Sequence, residues 1–158
     1  MVTFTIEVYY YKEPRYIFDS FMQIEKWNDF KGFGMIPGIK NANFIIKTDS
    51  IKGTIIQVEN SDGSSHKEEI LEFEKDTYLK IKMFDFSEPL SYFATYFIEE
   101  WALKKVEDGY KLERSMTLLS KGMISKFILK VISRSLKKAI QIHTEFVVQE
   151  IDRYLDNK

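Results

Sequence analysis

Only a few side chains in this sequence could do chemistry in an enclosed site. They stand out because the residues in phase with them are apolar. Taking the more apolar alternate set of each strand as the inner face turns Glu69, Thr95, Glu99 and Arg114 inward, and a terminal helix adds His143 and Glu150. A charge facing a core is costly unless it is paired or wet. The turn Glu107-Asp108-Gly109 sets Trp101 opposite Arg114 and makes Glu99 the diagonal neighbour of that arginine, roughly 7–8 Å away at the backbone and within reach of two long side chains. A Glu99–Arg114 ion pair beside Trp101 is therefore expected. One reading makes it a structural pair closing one end of the sheet. The other makes it a polar anchor, with Arg114 donating to a ligand carboxylate or carbonyl.

His143 lies on the edge of the helix's apolar arc, where an imidazole could serve as a general base or bond a ligand near neutral pH. The plainer reading is a satisfied structural histidine. His66, in phase with Glu68 and Glu72, reads as solvated. Glu69 and Glu99 suggest paired carboxylates, but following the hairpins sets Phe93 near Glu69. Six residues at about 3.3 Å each then put Glu99 near 20 Å away, which disfavours a two-carboxylate mechanism. With two histidines far apart and no cysteine, a transition-metal site has no support, and disulfides and a cysteine nucleophile are excluded. Gly32, Gly34 and Gly38 lack the spacing of a nucleotide loop, so they read either as a mobile gate or as an irregular connection. No cofactor is implied.

The elements that position these groups follow from periodicity. Phe4, Ile6, Val8 and Tyr10 alternate with polar or exposed partners, as a half-buried strand requires. Pro14 opens a short helix to Phe21, and Ile24, Trp27 and Phe30 mark a second one stopped by Gly32. Six strands follow, at about 42–48, 51–59, 64–74, 78–86, 92–105 and 109–119, joined mostly by hairpin turns into an antiparallel meander. Their inner face is expected to hold Phe44, Ile46, Ile56, Val58, Leu71, Phe73, Leu79, Ile81, Met83, Phe93, Phe97, Trp101, Leu103, Leu112, Met116 and Leu118. An amphipathic helix from near Gly122 to near Leu155 completes the chain. A 100° step puts Ile124, Phe127, Ile128, Val131, Ile132, Ala139, Ile142 and Phe146 in its buried stripe, widened by Leu129, Leu136, Ile140 and Val147. A lone long helix after such a sheet must pack across it, which gives an α+β cup of seven strands gripped by a helix, one domain over residues 1–158.

At 158 residues the chain is long enough for a substantial core, and its 13 Phe, 9 Tyr and 2 Trp can supply both core and cavity wall. Its 23 Lys and Arg against 24 Asp and Glu argue against bulk nucleic acid as a partner. The cations Lys126, Lys130, Arg134, Lys137 and Lys138 offer a transient contact with an anionic membrane surface, or simply a solvated face. The N-terminus has no signal-peptide pattern and no segment reaches spanning length, so a cytoplasmic location is expected.

The order strand, two short helices, six strands, long helix resembles the START-like (helix-grip) superfamily, including its polyketide cyclase/dehydrase and lipid-transport branch. The local marks are Glu13-Pro14-Arg15-Tyr16-Ile17-Phe18, Trp27-Asn28-Asp29-Phe30, Pro37-Gly38-Ile39 and Glu107-Asp108-Gly109. The resemblance spans essentially the whole chain and implies an apolar cavity between sheet and helix that holds a hydrophobic small molecule such as a lipid, polyketide or isoprenoid-like compound. The residues expected to contact it are Phe73, Met83, Phe97, Glu99, Trp101, Arg114, Met116, Ile128, Ile132 and His143. A non-catalytic carrier or sensor is the favoured activity. The alternatives are a cyclase, dehydratase or hydrolase using the same cavity, and a protein-interaction or co-chaperone module whose partner the sequence does not identify.

Overall fold

The computed structural model describes residues 1–158. Its elements are β1 (Val2–Tyr10), α1 (Pro14–Met22), a 3₁₀-helix (Ile24–Asp29), β2 (Ile39–Ile46), β3 (Ile55–Asn60), β4 (Ser65–Glu74), β5 (Tyr78–Phe84), a short 3₁₀ turn (Leu90–Tyr92), β6 (Ala94–Val106), β7 (Gly109–Ser120) and α2 (Met123–Asp156). The strands form one antiparallel sheet in the order β1-β7-β6-β5-β4-β3-β2. β1 closes onto β7, so the last hairpin lies inside the sheet and α2 is delivered across its concave face. The expected α+β arrangement, seven curved strands gripped by a terminal helix, is the observed one.

Three apolar clusters hold helix and sheet together. Tyr10, Ile17, Phe18, Ile70, Leu79, Ile81, Trp101, Leu103, Leu112 and Ile151 join α1 and the end of α2 to the sheet. Ile6, Ala94, Phe97, Met116, Leu118, Leu129 and Ile140 do so at the other end, and Trp27, Ala42, Ile56 and Val58 close the β2–β3 side. The turn of β6 into β7 pairs Val106 with Gly109, which fixes Trp101 opposite Arg114 as the turn chemistry requires.

Several inward assignments change because strands carry extra residues. On β4, Ile70 pairs with Ile81 but Glu72 pairs with Lys80, leaving Leu71 bulged and reversing the phase upstream. Glu68 and Ile70 are therefore buried, whereas Leu71 is only half-buried and Glu69 pairs with Lys82 on the outer face. A bulge at Thr95 on β6 likewise exposes that residue and buries Ala94. An extra residue at Ile45 on β2 turns Ile46 to solvent. β3 starts at Ile55, later than expected, because residues 47–54 form a turn in which the Thr48 hydroxyl donates to the Lys52 carbonyl at 2.8 Å and Ile51 adopts φ +68°.

The helix is also rotated from the stripe that hydropathy predicts. Its buried residues are Leu129, Ser133, Ala139, Ile140, Thr144 and Ile151, while Ile124, Phe127, Val131, Ile142 and Phe146 are exposed. Ser133 and Thr144 can be buried because their hydroxyls donate back to the carbonyls of Lys130 (2.9 Å) and Ile140 (2.6 Å), so neither brings an unpaired polar group inside. Ile132 packs against the core, and Ile128 is half-buried.

Candidate ligand cavity

The pair read from the sequence forms on the inner face. Arg114 and Glu99 are both buried. The arginine donates Nε–H to Glu99 Oε1 at 2.9 Å, adds a second bond to the same oxygen through Nη2, and donates Nη1–H to Thr144 Oγ1 at 2.8 Å. Its guanidinium lies 4.0 Å from the centre of the Trp101 ring. Arg114 thus ties two strands to α2. Most of its donors are already committed within the protein, which favours the structural role over that of a free ligand anchor.

Beside this network is a cavity of about 130 Å³ between sheet and helix. Phe21, Trp27 and Phe30 wall one side, with Phe21 5.1 Å from the Trp27 ring and 5.3 Å from the Trp101 ring. Met83, Glu99, Trp101, Arg114 and Met116 form the sheet wall, and Leu136, Ile140 and His143 the helix wall. The glycine loop is tied back, since Phe33 and Ile36 exchange two backbone bonds at 3.0 Å, and its flanking residues Phe30 and Ile39 both line the cavity. Gly32 needs its φ of +74°, and a Cβ there would meet the Ile36 carbonyl at 2.1 Å, so only glycine fits this turn.

Of the ten residues expected to contact a ligand, Met83, Glu99, Trp101, Arg114, Met116 and His143 come together on the cavity wall. Four do not. Phe73 lies beyond the β4 bulge and packs edge-on against Phe18 at 6.5 Å, and Phe97 fills core against Phe86 at 4.7 Å. Ile132 packs against the cluster of Phe97, Met116 and Leu129, and Ile128 is half-buried, so neither is on the cavity wall.

Two lining residues overturn the sequence reading. His66 is not solvated. Its Nε2 lies 3.0 Å from Glu68 Oε1, both side chains are largely buried, and both line the cavity. The Leu71 bulge masks their phase in the sequence. The carboxylates also sit closer than expected. Glu69 pairs with Lys82, which pairs with Ile98, and the inward Glu68 leads through Met83 to Phe97, two residues from Glu99. Two strand spacings and one residue give about 10 Å between the Glu69 and Glu99 backbones instead of 20 Å, and about 12 Å for the inward Glu68. Each carboxylate nevertheless has its own partner, His66 or Arg114.

Two buried polar atoms of these lining residues have no partner in the protein. Trp101, only 4% exposed, leaves Nε1–H unbonded, and so is His143 Nδ1. The other indole is satisfied, since Trp27 Nε1–H donates to the Phe21 carbonyl at 2.8 Å. Burial, aided by the Arg114 charge, pushes His143 down to about 3, so its ring is neutral at neutral pH and a poor base.

Further space of about 40 Å³ is walled by Phe21, Trp27, Trp101 and His143 from the cavity and by Ser20, Lys26, Asp29 and Val147 from a larger surface groove beside α1 and the end of α2. Through these shared residues the space adjoins both the cavity and the groove between α1 and α2.

No protein-family model matches the chain, and no curated protein matches it in sequence. Solved structures do match in shape. The Zhui aromatase/cyclase from a Streptomyces species superposes with a TM-score of 0.74 at 6% identity, covering 98% of this chain and 95% of that one. The chain has the helix-grip fold. A Mesorhizobium loti protein matches with a TM-score of 0.70 at 13% identity over 96% of this helix-grip chain and 98% of its own. Norcoclaurine synthase from Thalictrum flavum, solved with dopamine and hydroxybenzaldehyde, matches with a TM-score of 0.68 at 16% identity over 99% and 89%. No helix of this helix-grip chain is long and apolar enough to cross a membrane.

Proposed function

We propose that the cavity binds one ring-sized apolar molecule bearing a hydrogen-bond acceptor, and that the protein is its carrier or sensor. The observation that carries this reading is the space of about 130 Å³ between sheet and helix, lined mostly by apolar residues and by Trp101, whose indole N–H is buried without an acceptor. An unmade buried hydrogen bond costs about 1–3 kcal/mol, which a ligand oxygen would recover if a small shift of the wall brought it against the indole. Size sets the class of ligand. An apolar protein cavity of roughly 150 Å³ admits benzene, so about 130 Å³ suits one ring. A lipid chain or a multi-ring polyketide would need the walls to part. The single-ring compounds held by norcoclaurine synthase are of this size.

The test is nuclear magnetic resonance of the two indole N–H groups with benzaldehyde and toluene as probes. Benzaldehyde should shift the Trp101 resonance strongly and bind about tenfold more tightly than toluene, which lacks the acceptor. Trp101→Phe should bring the two affinities together. If neither probe moves the Trp101 signal, the reading fails.

A second reading, an enzyme that moves a proton on the bound molecule, rests on the His66–Glu68 pair. His143, neutral and poorly basic, does not suit that task. In the tautomer that donates Nε2–H to Glu68, the neutral ring carries its lone pair on Nδ1. With an aryl ketone in the cavity, Nδ1 would take the α-proton while the C–H electron pair passes into the enolate, whose oxygen Trp101 could bond. Acetophenone in heavy water should then exchange its methyl protons in the presence of the protein, about 10²-fold more slowly with His66→Gln. Equal exchange by both proteins would remove the catalytic role and leave binding intact.

A further inference from the structure

The outward side of α2 carries a surface that the cavity does not use. Met123, Ile124, Phe127 and Val131 are 91%, 80%, 70% and 40% exposed, on the arc opposite Leu129 and Leu136. The Phe33–Ile36 turn lies alongside, because a Cβ at Gly34 would come within 2.9 Å of Ser135 Oγ. Its Phe33 and Met35 are exposed as well. Two elements thus hold six large apolar side chains in water on one flank.

The charges around them are one-sided. Between Lys121 and Thr144 lie six of the 23 Lys and Arg and none of the 24 Asp and Glu; the acids of α2 begin at Glu145. All six cations are exposed, and none is ion-paired, although Lys and Arg elsewhere in the chain make ten ion pairs. At 100° per residue, Lys126, Lys130 and Lys137 run along one margin of the apolar arc, and Arg134 and Lys138 follow the apolar residues along the helix within the arc itself.

We infer that the first half of α2, with the Phe33–Met35 turn, docks in the plane of an anionic phospholipid surface. Apolar side chains would enter the acyl boundary while the flanking lysines stay at the headgroups, as an in-plane amphipathic helix requires. Charge selects this occupant. A second copy of the chain would bring the same unpaired cations against themselves, whereas a phosphatidylserine surface neutralises them. The inference rests on the outer face and stands apart from the cavity's ligand.

Sedimentation of the full chain with vesicles tests it, using phosphatidylcholine alone and phosphatidylcholine containing about one phosphatidylserine in three. Binding is expected to the anionic vesicles only, weakening at high salt. Lys126→Glu with Lys130→Glu should lower affinity at least tenfold, at roughly fivefold per cation. Ile124→Ser with Phe127→Ser should lower it by at least tenfold with an unchanged melting temperature, since both side chains are already exposed. Equal partition to both vesicle types, undiminished binding by the serine variant, or a dimer in solution that Phe127→Ser dissociates would each overturn the inference.

Discussion

Glu99→Leu is expected to destabilise the fold by about 3–5 kcal/mol, because it leaves the Arg114 guanidinium buried without its carboxylate. The arginine would keep its bond to Thr144 and its stacking on Trp101, but neither neutralises a charge enclosed by sheet and helix. The companion double substitution, Glu99→Leu with Arg114→Met, removes both charges, and Thr144 keeps its own bond to the Ile140 carbonyl. Its cost should be within about 1–2 kcal/mol of zero. Urea unfolding of the three proteins reads the difference directly. A single variant no worse than the double would mean that the pair is not enclosed as described.

The second large effect is in acid. His143 titrates near 6.5 when unfolded and is pushed down to about 3 in the fold, chiefly by burial and then by the charge of Arg114. Below pH 6.5 the unfolded chain gains a proton at this ring while the folded chain does not. The stabilisation from a neutral His143 is therefore complete above about pH 6.5 and is lost as pH falls toward 3, at about 1.4 kcal/mol per pH unit. Between about pH 7 and pH 4 the parent protein should lose about 3 kcal/mol more than His143→Gln, whose side chain cannot titrate. Parallel stability curves for the two would show that the ring is reached by water.

Strong turn chemistry and long periodic runs are legible in the sequence. The Glu107-Asp108-Gly109 turn sets the register of β6 against β7, and from that register alone Glu99 and Arg114 come within reach of each other. The helix was legible as a length but not as an angle. Apolar residues occupy so much of its circumference that hydropathy favours the outward Ile124, Phe127 and Val131 over an inward face holding Ser133 and Thr144. Those two hydroxyls are buried because each bonds the preceding turn and one also meets Arg114, a contact from another strand that no local window contains. His66 and Glu68 were missed for a similar reason. Alternation read backward from Phe73 goes out of phase at Leu71, and a single bulged residue leaves no mark in composition. The signal that could have found them was the run of polar residues from Ser64 to Glu69, whose two phases are almost equally hydrophilic, so apolarity could not choose between them.

Leu71 is therefore a one-residue offset that hides the strand's phase without setting it. Because paired residues share a face, deleting it in an ancestor or a laboratory lineage would leave Ile70 opposite Ile81 and Glu72 opposite Lys80, and plain alternation would then run unbroken from Phe73 to His66 with the imidazole still inside. Loss of a single codon would in this way erase the irregularity and leave the interior chemistry untouched, whereas a further inserted residue upstream of Ile70 would present Lys67 and Glu69 inward in its place.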